Sequence, residues 1–291
     1  MSDEAASTAY LDAPVRWIDA PDVRVPVRTF GSGPNLLLVH GFPLSGFTWR
    51  KVLPGLSAHF TCHVPDLPGL GQSQWSNRTD FSFPGQGRTL AAVADALGLD
   101  RLHIMAQDTG GTFARYLALE MPERIDRLVL INTEMPGHRP PWIPLYQWLL
   151  RTGPTLSALR MLLGSRLFRR SSLGFGGCFC DLSHIEGEFH RQVVEPLLRD
   201  PQRMEGLRLY LLGAQWEPVD ALARDHAQLT MPVLLLWGAD DPTFPLALAY
   251  EMATQFPDAQ LVEVPGARLL VHEEKPVDVA KAALASLRAT P

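Results

Sequence analysis

Residues 106–111 read Ala106-Gln107-Asp108-Thr109-Gly110-Gly111, between a short apolar run at 102–106 (LHIMA) and a segment of helical spacing at 112–120. A strand that turns sharply into a helix holds its middle residue in strained backbone geometry, so the positions around it must be small. The turn lifts one side chain above the sheet and sets it beside the helix N-terminus, where negative charge is stabilised. In the best-known version that residue is serine. Here it is Asp108, a carboxylate able to attack an alkyl carbon and form an ester. A plainer reading is also open: Asp before Thr-Gly-Gly is a common helix N-cap.

Outward from the turn, short apolar runs alternate with helical text. Residues 35–39 (NLLLV), 62–65, 128–131, 232–237 (PVLLLW) and 260–264 read as strands, and 89–97, 112–120, 247–255 and the stretch from Val277 as helices. Continuous apolar strands separated by helices predict a parallel sheet covered on both faces, an α/β fold. The rhythm breaks after Glu134, where PGHRPPWIP removes backbone donors and restricts its neighbours. From Leu145 to about Arg224 the text is helical and aromatic, interrupted by glycines at 174–177. The expected organisation is therefore a core at 1–136 and 230–291, with a helical lid inserted at 137–229.

Composition narrows the function. The chain has 291 residues, 46% of them hydrophobic, and a formal charge of -5. That is ample apolar material for a core, and the acidic balance offers no basic face for nucleic acid. The longest apolar runs fall far short of the ~20 residues that span a bilayer, and the acidic N-terminus lacks the pattern of a secretory signal. The three cysteines, Cys62, Cys178 and Cys180, form no CxxC pair and read as structural thiols. The expectation is a cytoplasmic protein without a membrane partner, with a homodimer among the assemblies it admits. No ligand cluster or phosphate-cradling glycine loop calls for a metal or organic cofactor.

Two more strand ends carry chemistry. His40-Gly41-Phe42-Pro43 follows NLLLV, and a loop there can aim the Phe42 N–H at the same point as the Thr109 N–H, making an oxyanion hole. His40 itself reads as packing for the loop. Trp237-Gly238-Ala239-Asp240-Asp241 supplies an acid, Asp241, able to orient a histidine. HGFP, the loop DLPGLGQS, the turn AQDTGG and WGADD, in this order, resemble the α/β-hydrolase superfamily over nearly the whole chain. Aspartate in the turn resembles the branch of epoxide hydrolases and haloalkane dehalogenases. In that branch a carboxylate attacks carbon and a His–acid pair then activates water to release the ester.

Within that branch the resemblance is closest to epoxide hydrolases. Haloalkane dehalogenases typically carry Trp after the nucleophile and often Asn after His-Gly, whereas this chain has Thr109 and Phe42. The arginines with which fluoroacetate dehalogenases clamp a carboxylate are replaced by Thr109 and Thr112. Epoxide hydrolases show HGxP and use two lid tyrosines as acids. The resemblance implies Tyr146 and Tyr210 in that role, since a phenol can donate to the developing alkoxide; simple packing of the lid is the alternative. Trp142, Trp148 and Trp216 would wall a site for a hydrophobic substrate.

One position departs from the family. Its catalytic histidine follows the last core strand, and in Val264-Pro265-Gly266-Ala267-Arg268-Leu269-Leu270-Val271-His272-Glu273 that place holds Leu269. Three readings follow. His272 takes over through a shifted loop; or hydrolysis is lost, leaving a lyase, isomerase or cyclase with Asp108 as base, or a ligand-binding protein; or another group, Glu134 or His138, activates water. Some dehalogenases take their acid from the position of Glu134, which competes with Asp241 for that role.

Overall fold

The computed structural model describes residues 2–151 and 153–289, with the side chains of residues 153 and 154 outside the description. Nine strands form one sheet: β1 (Val15–Ala20), β2 (Val23–Phe30), β3 (Asn35–Val39), β4 (Thr61–Pro65), β5 (Gln74–Trp75), β6 (Leu102–Gln107), β7 (Ile125–Ile131), β8 (Val233–Gly238) and β9 (Ala259–Val264). Their order is β1-β2-β4-β3-β6-β7-β8-β9, with β5 paired to β2. β1, β4 and β5 run antiparallel to β2, and every other pairing is parallel.

Alternation along each central strand explains why these runs are apolar throughout. Leu37 of β3, Ile104 of β6, Leu128 of β7 and Leu235 of β8 enter the core on one face. Their neighbours Leu36, Met105, Val129 and Leu234 enter the core on the other. A strand covered on both sides needs apolar residues at both parities. The expected parallel α/β sheet is present. The antiparallel end goes beyond it: Val15–Ala20 is only partly buried, and β2 carries Pro26 and two arginines, so neither reads as a core strand.

Helices flank this sheet: α1 (Asp3–Asp12), α2 (Phe83–Leu97) and α3 (Thr109–Glu120) lie before the insertion. α2 begins six residues before the helix expected at 89. Ser82 caps it by accepting from the Gly85 N–H at 3.1 Å, Pro84 is tolerated in the first turn, and Gly87 lets α3 approach. A Cβ at Gly87 would lie 2.6 Å from the Tyr116 Cβ.

Between β7 and β8 the described chain is helical and contains no strand. It includes α4 (Trp142–Leu149), α5 (Gly153–Gly164), α6 (Arg166–Arg170), α7 (Pro201–Gly213) and α8 (Trp216–Asp225). Gln147 ties α4 to α7 by donating to the carbonyls of Leu211 and Ala214 at 2.8 and 2.7 Å. After β8 the core resumes with α9 (Leu246–Ala253) and α10 (Pro276–Leu287).

Leu38 is fully buried in the middle of β3. Leu38→Ala is expected to lower the free energy of unfolding by about 2–5 kcal/mol, measured by denaturant titration.

Candidate active site

Close packing of three loops determines the geometry at the end of β6. Asp108 adopts φ +53° and ψ -134°, a conformation that non-glycine residues rarely take. A Cβ at Gly110 would lie 2.4 Å from the His40 carbonyl oxygen, and one at Gly111 would lie 2.5 Å from Thr133 Oγ1. At Gly41 it would lie 2.4 Å from the Asp108 Cβ. Only glycine fits these places, which brings the loop after β3 against the start of α3. The Thr133 hydroxyl locks the turn from beneath by donating to the Asp108 carbonyl at 2.7 Å.

That approach delivers the expected donor. The Phe42 N–H donates to Asp108 Oδ2 at 2.8 Å, and the Thr109 N–H also favours the ionised carboxyl. The carboxyl stands in a cavity of about 160 Å³ whose walls are mostly apolar, among them Phe83, Trp142, Tyr146, Phe168, Trp216 and Leu269. His40 lies outside it: the Leu67 N–H donates to Nε2 at 2.9 Å, and Nδ1 pairs with the Gly41 carbonyl at 2.8 Å. It holds the loop, as its reading as packing anticipated.

The tyrosines separate. Tyr210, on α7, brings its hydroxyl 2.7 Å from Thr109 Oγ1 and stacks on Phe42 with ring centroids 5.2 Å apart. Burial, with the Asp108 charge adding to it, raises its pKa well above the ordinary tyrosine value, so it remains a phenol and a donor. Tyr146 lines the cavity, but its hydroxyl is taken by the Leu173 carbonyl. Trp148, expected as a wall, is 65% exposed and stands outside the cavity, because at its place on α4 it faces solvent while Trp142 and Tyr146 face inward.

His272 does not reach the site. The helical turn Val271–Glu274 carries it to the opposite side, where Nε2 shares a 2.6 Å hydrogen bond with the Thr48 hydroxyl and the ring packs 4.9 Å from Trp49. It is fully buried there, and burial pushes its pKa down to about 4, so it is neutral. Leu269 occupies the cavity wall instead. His138 donates to the Thr243 carbonyl at 2.8 Å and is likewise outside the lining. Asp241 is buried behind the site: Asn132 Nδ2 and the Thr243 N–H donate to its two oxygens at 2.8 and 2.7 Å, and burial pushes its pKa up to about 7.

Glu134 is the second carboxyl at the cavity. Its Oε2 accepts from Thr112 at 2.6 Å and lies 3.1 Å from the Thr133 hydroxyl oxygen. Behind them Arg115, fully buried, donates through Nη2 to Thr112 Oγ1 and the Glu134 carbonyl, both at 2.8 Å. This support was not recognised in the sequence, although Thr112 and Arg115 sit three residues apart on the helix that Asp108 begins. Burial raises the pKa of both Asp108 and Glu134, the Glu134 charge adds to the rise at Asp108, and Arg115 from the layer behind lowers Glu134 in part; no cationic group stands in the cavity lining itself. Among the described residues no group of His, Cys, Asp and Glu is arranged to hold a metal ion.

Residues 34–276 match the family described as alpha/beta hydrolase fold. The chain belongs to the α/β-hydrolase superfamily. It is 30% identical to Haloalkane dehalogenase 2 of Mycobacterium bovis over 271 residues, 92% of each chain. In fold it is similar to the epoxide hydrolase CorEH, at a TM-score of 0.79 and 22% identity, covering 95% of this chain and 99% of that one. It is also similar to the haloalkane dehalogenase DbeA of Bradyrhizobium elkani, at 0.76 and 22%, covering 94% and 97%. The family match and the 30% relationship make it a hydrolase of that superfamily, and the likeness to the solved structures shows the shared fold.

The buried carboxyls predict how stability depends on pH. In the unfolded chain Asp108 loses its proton near pH ~3.9. In the fold it keeps the proton to higher pH, so stability is complete below the unfolded value and falls as pH rises through the folded one. Asp108→Asn removes the charge and retains an acceptor for Phe42. It is expected to melt at higher temperature than the wild type at pH 8, with a smaller difference at pH 5, read by thermal scans at both pH values.

Proposed function

We propose that the protein is an epoxide hydrolase-like enzyme acting on a hydrophobic small molecule, with the Asp108 carboxyl as nucleophile or base. The observation that carries this reading is the Asp108 carboxyl itself, held at Oδ2 by the Phe42 N–H beneath an apolar cavity and beside the Tyr210 hydroxyl. On an epoxide, an Asp108 oxygen bonds to a ring carbon as the ring C–O bond breaks. The alkoxide takes a proton through Tyr210, leaving a hydroxyalkyl ester on Asp108. Phe42 and Thr109 hold the ester oxygen through their backbones. Tyr146 contributes to the wall rather than to the proton transfer, because its hydroxyl is engaged by Leu173.

In the second half-reaction, water must attack the ester. Leu269 offers no base to activate it, and His272 is turned away against Thr48. The ester is therefore long-lived. A second reading rests on Glu134, whose carboxyl lines the same cavity and whose pKa burial raises, the direction that favours a general base. Under it, water is activated slowly by Glu134 in place of the histidine.

Incubation with an aryl epoxide, followed by intact-protein mass measurement, is expected to show one equivalent of adduct on the peptide that contains Asp108, and none in Asp108→Asn. Persistence of the adduct supports the first reading. Slow diol release that stops in Glu134→Gln supports the second. No adduct, or steady diol release unaffected by Glu134→Gln, contradicts both.

The rate of adduct formation is expected to rise with pH, since only the ionised carboxyl attacks. In Glu134→Gln the same rise should occur at lower pH, because the repulsion that raises the Asp108 pKa is gone. A profile that does not move argues against coupling between the two carboxyls.

A further inference from the structure

The helices that roof the cavity also carry exposed apolar side chains. On α4, Trp142 and Tyr146 line the cavity while Leu145 and Trp148 are 47% and 65% exposed. On α5, Leu159 and Leu163 point inward, and Met161 is 74% exposed. On α6, Phe168 lines the cavity and Leu167 is 84% exposed. These elements are tied together around the rim. Arg169 Nη1 donates to the Leu163 and Gly164 carbonyls at 2.9 Å, joining α6 to the end of α5. The Tyr146 hydroxyl joins α4 to the loop at Leu173, which is also exposed. Of the ten large apolar side chains exposed among the described residues, six fall between 145 and 173.

Charge is segregated onto the same stretch. Residues 135–180 contain six arginines and no aspartate or glutamate, in a chain whose formal charge is -5. Two carboxylates from outside the stretch meet them: Asp220 pairs with Arg139, and Glu186 is shared by Arg166, Arg169 and Arg170. The stretch remains cationic after this pairing. Exposed Trp and Leu beside arginines in excess of their acidic partners is the chemistry of a surface that lies in the headgroup layer of an anionic bilayer.

We propose that this roof, formed by α4, α5, α6 and the loop through Leu173, docks peripherally on an anionic lipid surface. Leu145, Trp148, Met161, Leu167 and Leu173 enter the interface, and the exposed Arg139, Arg151 and Arg166 meet the headgroups. No helix among the described residues is long and apolar enough to cross a membrane. The expectation of no membrane partner rests on the absence of a bilayer-spanning apolar run, a criterion that does not detect peripheral docking. A function follows for the arrangement, resting on the reading of the cavity as a site for a hydrophobic molecule. Such a molecule partitions into lipid, and a docked roof brings the cavity to it.

The test is sedimentation with vesicles of phosphatidylcholine mixed with phosphatidylserine and, separately, of phosphatidylcholine alone, over a range of salt. Binding to the mixed vesicles is expected, weakening as salt rises, with little binding to phosphatidylcholine alone. The double variant Trp148→Ser with Leu167→Ser should lose about tenfold or more of the partitioning. Its melting temperature should be unchanged, since both side chains are exposed. Absence of binding to the mixed vesicles, or equal binding by the double variant, overturns the proposal. So does a wild-type dimer that ignores vesicles and becomes monomeric in the double variant, which would make a second copy the occupant. Asp108→Asn should bind vesicles as the wild type does, so failure of the adduct experiment leaves this one standing.

Discussion

The close approach of the loop after β3 to the start of α3 is the constraint on which the site depends. It requires Gly41, Gly110 and Gly111, because a Cβ at any of them would lie within 2.6 Å of a neighbouring atom. It holds Asp108 at positive φ and places the Phe42 N–H against its carboxyl. Strain in one residue is stabilised by packing from three sides, and the result is a carboxyl that cannot retreat from the cavity. The parallel sheet supports this turn by burying β3, β6 and β7 on both faces.

Leu269 in the cavity wall bears on the electrostatics of the site. A histidinium near Asp108 would favour its ionised form. Here the cavity offers two backbone donors, a phenol and a second carboxyl, so burial wins and protons are held above the usual carboxylate range. Arg115 lies one layer behind, linked to Glu134 through Thr112 and through the Glu134 carbonyl, and burial pushes its own pKa down to about 10. It positions Glu134 and compensates it only in part. The same leucine completes an apolar wall, which suits a hydrophobic ligand better than a site built to hold water.

Much of this was legible in the residues because local rules agreed. Continuous apolar strands and the glycines of the turn each have one economical structural meaning, and the parallel core followed. Asp108, Phe42, Thr109, Tyr210 and Glu134 line one cavity. The misplaced residues share a cause. Whether Trp148 faces in or out, whether Tyr146 spends its hydroxyl on a carbonyl, and where the turn carrying His272 points depend on rotations of short elements packed by distant partners. Spacing along the chain does not encode those rotations. The Thr112–Arg115–Thr133 support of Glu134 was hidden for the same reason, since its members come from two elements.

The central claim is that Asp108 and Glu134 are buried carboxyls with no cation in the cavity lining, Arg115 acting on Glu134 only from the layer behind. Carbon-13 NMR of side-chain carboxyls, with Asp108 assigned by its loss in Asp108→Asn, tests this most directly. The account predicts that the Asp108 carboxyl titrates well above the usual aspartate range in the free protein. A carboxyl fully ionised at mildly acidic pH would contradict it, and would mean that a positive group approaches Asp108 where Leu269 now stands.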